Sequence, residues 1–203
     1  MIQALARAAG RSVSPETFEQ LKSYVGLLAD ENERQNLVSA ATLEQVWERH
    51  ILDSAQLVRF EPATGSSWVD IGAGAGLPGI IIACLVEGPV TLVEPRALRA
   101  RFLADTVRTL GLTANIVQSK AERLAGKFDV ITGRAVAVLP RFLGMCDHLS
   151  TRKTRWVLPK GRSAQSELED AQRSWQGVFH VEQSVTDDDS YIVVGTGVRA
   201  KAR

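Results

Sequence analysis

Thiol chemistry has little to work with in this sequence. Its 203 residues include two cysteines, Cys84 and Cys146, far apart and each in an apolar stretch. Buried, reduced thiols are the expected state of both. There is no C-x-x-C pair and no His/Cys cluster, so no zinc or other metal site is expected. A run of about 18 apolar residues is also missing, and with it a membrane-spanning helix. The first residues, MIQALARAAGRS, carry neither a signal-peptide core nor a cleavage site and read as a first amphipathic helix. A cytoplasmic protein with no membrane partner is expected, and a monomer. An excess of one charge is lacking too. Lys and Arg number 24 against 23 Asp and Glu, for a net charge of +1.

What is present is the composition of a soluble globular protein, 45% hydrophobic and 23% charged. The length suits one domain with a modest extra element. The positive charge is clustered: Arg96, Arg99, Arg101 and Arg108; then Arg152, Lys153, Arg155, Lys160 and Arg162; then Arg199, Lys201 and Arg203 at the end. Such patches bind phosphates even on a near-neutral protein, and the cluster at Arg152 is expected to help hold a nucleic acid.

Residues 1–62 read as helical. Ser14-Pro15-Glu16 is a helix start, followed by Phe18, Leu21, Tyr24, Val25 and Leu28 at helical spacing. A second helix is expected through Leu43, Val46, Trp47, Ile51, Ala55 and Val58, capped by Thr42. From residue 63 strands and helices alternate. The strand candidates are Trp68–Ile71, Val90–Val93, Asn115–Gln118, Phe128–Thr132 and Trp156–Leu158, a parallel, doubly wound pattern. Phe179–Val185 and Tyr191–Val194 flank an acidic turn and read as an antiparallel hairpin. The expected architecture is α/β and Rossmann-like, of the class I S-adenosylmethionine-dependent methyltransferase kind. It has a mostly parallel sheet, a C-terminal antiparallel hairpin and an N-terminal helical cap. A single domain is expected over 1–203, with cap 1–62 and core 63–203.

The sharpest local signal is Val69-Asp70-Ile71-Gly72-Ala73-Gly74-Ala75-Gly76-Leu77-Pro78-Gly79, between a strand and a helix. Gly72, Gly74 and Gly76 allow positive φ and close approach of a ligand, and the N–H groups of the helix start face its polar groups. Glu94 ends the next strand, where a carboxylate accepts ribose hydroxyls. NAD and an adenosyl sulfonium fit that position equally. Ala121 and Glu122 follow the third strand, in a loop that flanks the adenine in this fold. Arg134 follows the fourth strand at the carboxyl edge, where α/β ligands bind.

Several segments together resemble the RsmG (GidB) family. These are Asn32-Glu33-Arg34-Gln35-Asn36-Leu37, Arg49-His50-Ile51-Leu52-Asp53-Ser54, the loop Gly72 to Gly79, Arg101-Phe102-Leu103, Gln118 to Glu122, Gly133-Arg134-Ala135 and Lys160-Gly161. The chain departs from the family pattern at Glu31, Val38 and Pro159. The resemblance implies transfer of a methyl group from S-adenosylmethionine to N7 of a guanine in 16S ribosomal RNA, guanine 527. The partner would be that RNA or the small ribosomal subunit, and loss of activity would bring low-level streptomycin resistance. It implies cofactor contacts at Gly72, Leu77, Ala121, Glu122 and Arg134, to which the loop adds Gly74 and Gly76 and the fold adds Glu94. Arg134, Lys160, Asn36, His50 and Asp53 are the candidates on the substrate side. His50 and Asp53 alternatively only lock the cap to the sheet, and Asn36 alternatively only ends a helix. Two other functions stay open on the residues alone: an NAD(P)-dependent oxidoreductase, and an RNA-binding protein on a methyltransferase fold.

Overall fold

The computed structural model describes residues 1–202. Seven strands form one sheet: β1 (Trp68–Ile71), β2 (Val90–Val93), β3 (Ala114–Val117), β4 (Val130–Thr132), β5 (Arg155–Lys160), β6 (Trp175–Gln183) and β7 (Tyr191–Ala200). Their order is β3-β2-β1-β4-β5-β7-β6. The first five are parallel, and β7 runs antiparallel between β5 and β6. Every residue of β1 is buried, Asp70 included, as in a central strand covered on both faces. The chain winds outward from β1 through β2 to β3, then returns to place β4 on the other side of β1. The carboxyl ends of β1 and β4 therefore flank the crevice where ligands bind in such sheets.

One face is covered by the N-terminal helices together with α5 and α6. These are α1 (Ile2–Ala9), α2 (Pro15–Gln35), α3 (Ala40–Glu44), α4 (Asp53–Ala55), α5 (Gly79–Leu85) and α6 (Ala97–Leu110). The other face is covered by α7 (Leu139–Cys146) and α8 (Ala164–Ser174). Leu5, Leu21, Leu28, Ile51 and Leu57 of the cap are fully buried in the same cluster as Trp68 and Ile81. Each such side chain contributes about 1.5–3 kcal/mol. Apolar burial, more than any single polar contact, holds the cap to the sheet.

The cap differs from the sequence expectation in one respect. Residues 43–58 do not form one regular helix. Ser39, not Thr42, caps α3, accepting the Thr42 N–H on its hydroxyl. At Gln45 the backbone leaves the helical region (φ −112°). A π-turn over Trp47–Leu52 then leads through α4 to a 3-10 turn over Gln56–Phe60. Apolar spacing over six residues cannot distinguish a π-turn from an α-turn, so the break was invisible in the sequence.

At the C-terminus the hairpin strands are longer than expected: β6 starts at Trp175 instead of Phe179, and β7 runs on to Ala200. The glycines of Gly195-Thr196-Gly197 hide that extension. A Cβ at Gly195 would lie 2.8 Å from the Phe179 ring, so the strand needs glycine to pass its neighbour. The four tryptophans are packing residues: Trp68, Trp156 and Trp175 are buried, and Trp47 packs on Phe18 with ring centroids 5.5 Å apart.

Candidate functional site

The glycine loop is shaped from three sides. Behind it, the buried Asp70 carboxylate accepts the Gly79 N–H at 2.8 Å and so closes the loop onto the first residue of α5. Burial pushes Asp70 up to about 7, against the pull of that hydrogen bond. Above it, the fully buried Tyr24 of α2 donates its hydroxyl to the Ala75 carbonyl at 2.9 Å. In front, Glu94 at the end of β2 accepts the Gly74 N–H on one carboxylate oxygen and the Arg96 N–H on the other, both at 2.9 Å. Gly72 has φ +68°, and a Cβ there would lie 2.8 Å from a Val136 methyl, so the loop after β4 touches the glycine turn directly.

The crevice so formed has a volume of ≈ 330 Å³ and is lined by Gly72, Gly74, Leu77, Glu94, Arg99 and Arg134, with Leu37, Val38 and Val136 closing it. Five residues expected at the cofactor are thus brought together: Gly72, Gly74, Leu77, Glu94 and Arg134. Gly76 stands behind the loop, packed on Ile80 and Leu103. Ala121 and Glu122 lie in a 3-10 turn after β3 (Ala121–Arg123) and do not line the crevice. Ala121 is buried against the other face of the sheet.

A second cavity, of ≈ 420 Å³, adjoins the first. Its walls include Asp53, Arg134, Val138, Lys160, Glu167 and Tyr191. Arg134, Ala135 and Val136 line both cavities, so the segment after β4 is their common wall. Ala135 sits in the left-handed region (φ 57°), an uncommon conformation for a residue with a side chain, and one that clusters at functional sites.

Arg134 is held in the cavity wall by the cap. One of its terminal nitrogens lies 3.2 Å from His50 Nδ1, 3.5 Å from the Arg49 carbonyl and 3.6 Å from Asp53 Oδ2. Burial, then the charges of Arg134 and Arg49, push His50 down to about 4, so it is neutral at ordinary pH. A guanidinium only donates, so Nδ1 must be the accepting nitrogen and the proton sits on Nε2. That Nε2 is buried and has no partner among the described residues. Asp53 Oδ1 accepts from Gln56 at 2.9 Å and from the Thr186 hydroxyl at 3.2 Å, joining the cap to the C-terminal hairpin. Burial raises Asp53, with Arg134 opposing. Arg49 pairs with Asp187 in the same hairpin turn.

Lys160 ends β5 and reaches the Ala137 carbonyl at 2.8 Å and Glu167 at 2.9 Å. Glu167 also accepts the N–H of Leu139, the first residue of α7, and the Ser163 hydroxyl. Burial alone would raise Glu167, but these hydrogen bonds outweigh it and hold its carboxyl low. Asn36 lies elsewhere. It is the left-handed C-cap of α2 (φ 49°) and lines neither cavity, although Leu37 and Val38 beside it line the first.

In the sequence Tyr24 and Tyr191 stand out only as helix and strand positions and Arg99 only as one of a basic cluster, and Glu167 carries no signal at all. Tyr24 looks there like one more apolar position, and only the fold brings its hydroxyl to the loop. Of the basic clusters, Arg96 and Arg99 stand at the crevice and Lys160 at the second cavity, while Arg101 and Arg108 pair with Asp105 along α6. Arg152 and Lys153 lie in the turn before β5, at the amino ends of the parallel strands, on the opposite edge from both cavities. Arg155 donates to the Phe60 carbonyl. Arg203 lies outside the described residues.

The model of the GidB family, described as rRNA small subunit methyltransferase G, matches residues 17–190. The chain belongs to the GidB family. Its relatives include the ribosomal RNA small subunit methyltransferase G of Erythrobacter litoralis, 47% identical over 91% of this chain and 90% of that protein. The protein of the same name from Sphingopyxis alaskensis is 44% identical over 91% and 80%. Among solved structures, a SAM-dependent methyltransferase from Aquifex aeolicus superposes with a TM-score of 0.61 at 14% identity, over 79% of this chain and 99% of that one. A point mutant of MtNAS in complex with S-adenosylmethionine gives 0.58 at 19%, over 86% and 75%.

The fold is therefore that of the class I S-adenosylmethionine-dependent methyltransferases, and S-adenosylmethionine is the cofactor of this GidB-family chain. The crevice suits a nucleoside. Each Glu94 oxygen accepts a single N–H and keeps a further lone pair, which is what a ribose diol needs. Groups able to hold a metal ion do not cluster among the described residues, and no described helix is long and apolar enough to cross a membrane.

Proposed function

We propose that this chain transfers the methyl group of S-adenosylmethionine to N7 of a guanine in 16S ribosomal RNA, by resemblance guanine 527. The observation that carries this reading is the pair of cavities sharing the Arg134–Val136 wall. A nucleoside cofactor in the first and an extruded base in the second would meet across that wall. When bound, the cofactor supplies an electrophilic methyl group on a sulfonium.

The chain's own residues supply alignment. N7 carries a lone pair and no proton, so its attack requires positioning and exclusion of water but no proton acceptor. The groups at the junction match that modest demand. His50 spends its accepting nitrogen on Arg134, and Glu167 is committed to Lys160, Ser163 and Leu139. Chemistry that begins with a thiolate, such as methylation of pyrimidine C5, fits poorly. Burial pushes both Cys84 and Cys146 up to about 12, and they stand in α5 and α7, away from the shared wall. The base must be splayed from its stack to reach the second cavity, as in loop regions of folded RNA.

The test is incubation with tritiated S-adenosylmethionine and either free 16S RNA or small subunits, followed by mapping of the label. One labelled guanine, cleavable after mild reduction as N7-methylguanine, is expected. Label on an exocyclic amine, on protein or on a small molecule would reject the proposal. Binding of S-adenosylhomocysteine without any label would favour an RNA-binding protein on this fold.

A further inference from the structure

The second cavity has a balanced charge and an unbalanced set of hydrogen bonds. Its ionisable walls are two cations, Arg134 and Lys160, and two carboxylates, Asp53 and Glu167. A phosphate would gain little from the cations and be repelled by the carboxylates, so the cavity suits a neutral ligand.

The unspent capacity is specific. Glu167 is largely engaged: Oε2 accepts from Leu139 and Lys160, and Oε1 from Ser163. Asp53 is not: Gln56 and Thr186 both use Oδ1, and Oδ2 has only the Arg134 nitrogen at 3.6 Å, beyond hydrogen-bond range. Lys160 uses two of its three protons on Ala137 and Glu167. Asp53 Oδ2, which takes part in no hydrogen bond, is thus the freest charged acceptor in the cavity wall, and Lys160 keeps one charged donor.

We infer that Asp53 is the guanine-selecting residue of this site: its Oδ2 accepts the exocyclic 2-amino group of the target base, while Lys160 donates to O6. This rests on the proposed guanine reading and adds the recognition that goes with it. Adenine has no 2-amino group and carries a donor where O6 stands, so it would leave Asp53 Oδ2 unmatched and set its amine against Lys160. A carboxylate oxygen left without a donor, and two donors set against each other, are costly mismatches in a polar site.

The experiment uses the full chain and a ligated 16S RNA bearing either guanine or inosine at the target, since inosine lacks only the 2-amino group. The wild type is expected to lose roughly 10- to 100-fold in kcat/KM on inosine, the usual worth of one hydrogen bond to a charged group. In Asp53→Asn, the amide oxygen is required by Gln56 and Thr186, so its NH2 replaces Oδ2 and presents a donor. That variant should fall to a common low rate on both RNAs, with S-adenosylhomocysteine affinity unchanged by calorimetry. Equal wild-type rates on guanine and inosine would overturn the assignment, and so would an Asp53→Asn enzyme that still discriminates. The wild-type comparison decides even should the variant fold poorly. Absence of any label from the wild type on the guanine RNA would instead remove the methylation reading beneath it.

Discussion

Asp70 shows how one buried side chain sets both a loop and a pH dependence. Its Oδ2 holds the Gly79 N–H, while Oδ1 has no partner among the described residues. With a native pKa of about 7 against an ordinary 3.8, the folded chain holds a proton there that the unfolded chain has lost. The native form binds more protons between those two values, so this site's contribution to stability is complete below about 4 and lost as pH rises through about 7. Asp70→Asn keeps an oxygen for Gly79 and removes the titration. Thermal melting should show the variant gaining roughly a few degrees over the wild type at pH 8 and nothing at pH 4. A parallel pair of curves would contradict the assignment. His50 has the opposite shift and a different use. Neutral down to about 4, it keeps a lone pair for Arg134 across the working range, where a protonated imidazole would repel it.

At the scale of elements, α2 does more than cover the sheet, because it carries Tyr24 to the glycine loop. Tyr24→Phe removes one buried hydrogen bond and leaves the Ala75 carbonyl without its donor. A cost of about 1 kcal/mol is expected, or roughly 2–4 °C in melting temperature. S-adenosylhomocysteine affinity, read by calorimetry, should fall as well, since the loop loses its upper support. Unchanged affinity would reduce Tyr24 to a packing residue.

The parallel strands were largely legible in the sequence, because β1 and β2 combine dense apolar runs with clear turn signals at both ends. The glycine loop was legible for the same reason that it works: few residue types tolerate its backbone. The meeting of Arg134, His50 and Asp53 was not. The residues stood out individually, but the π-turn that sets the angle of His50 leaves no periodic trace over six residues. The contacts with Thr186, Gln56 and Arg134 show the structural lock for His50 and Asp53; Asp53 also lines the second cavity, whereas His50 lines neither. Asn36 took the helix-ending role that its left-handed backbone favours.

Over the whole molecule, one apolar cluster runs from Leu5 in α1 through Tyr24 and Ile51 to Trp68 in β1 and Val157 in β5. A cap that shares its core with the sheet has little of its own to fold around. We therefore expect a single domain that unfolds in one calorimetric transition, shifted upward as a unit by S-adenosylhomocysteine. Two transitions, with only the later one responding, would make residues 1–62 a separate unit. The large apolar side chains that are exposed, Met1, Leu98, Val138, Val178 and Val185, fall singly along the chain. A monomer is expected by sedimentation, as for scattered apolar exposure generally.

The tie between Asp53 and Thr186 spans 133 positions of the chain. Ile192 and Val194 of β7 also lie in the apolar cluster that the cap shares with Trp68. Truncation ahead of Thr186 therefore removes part of the common core together with this tie. A chain cut there is expected to lose the whole cooperative unit, glycine turn included.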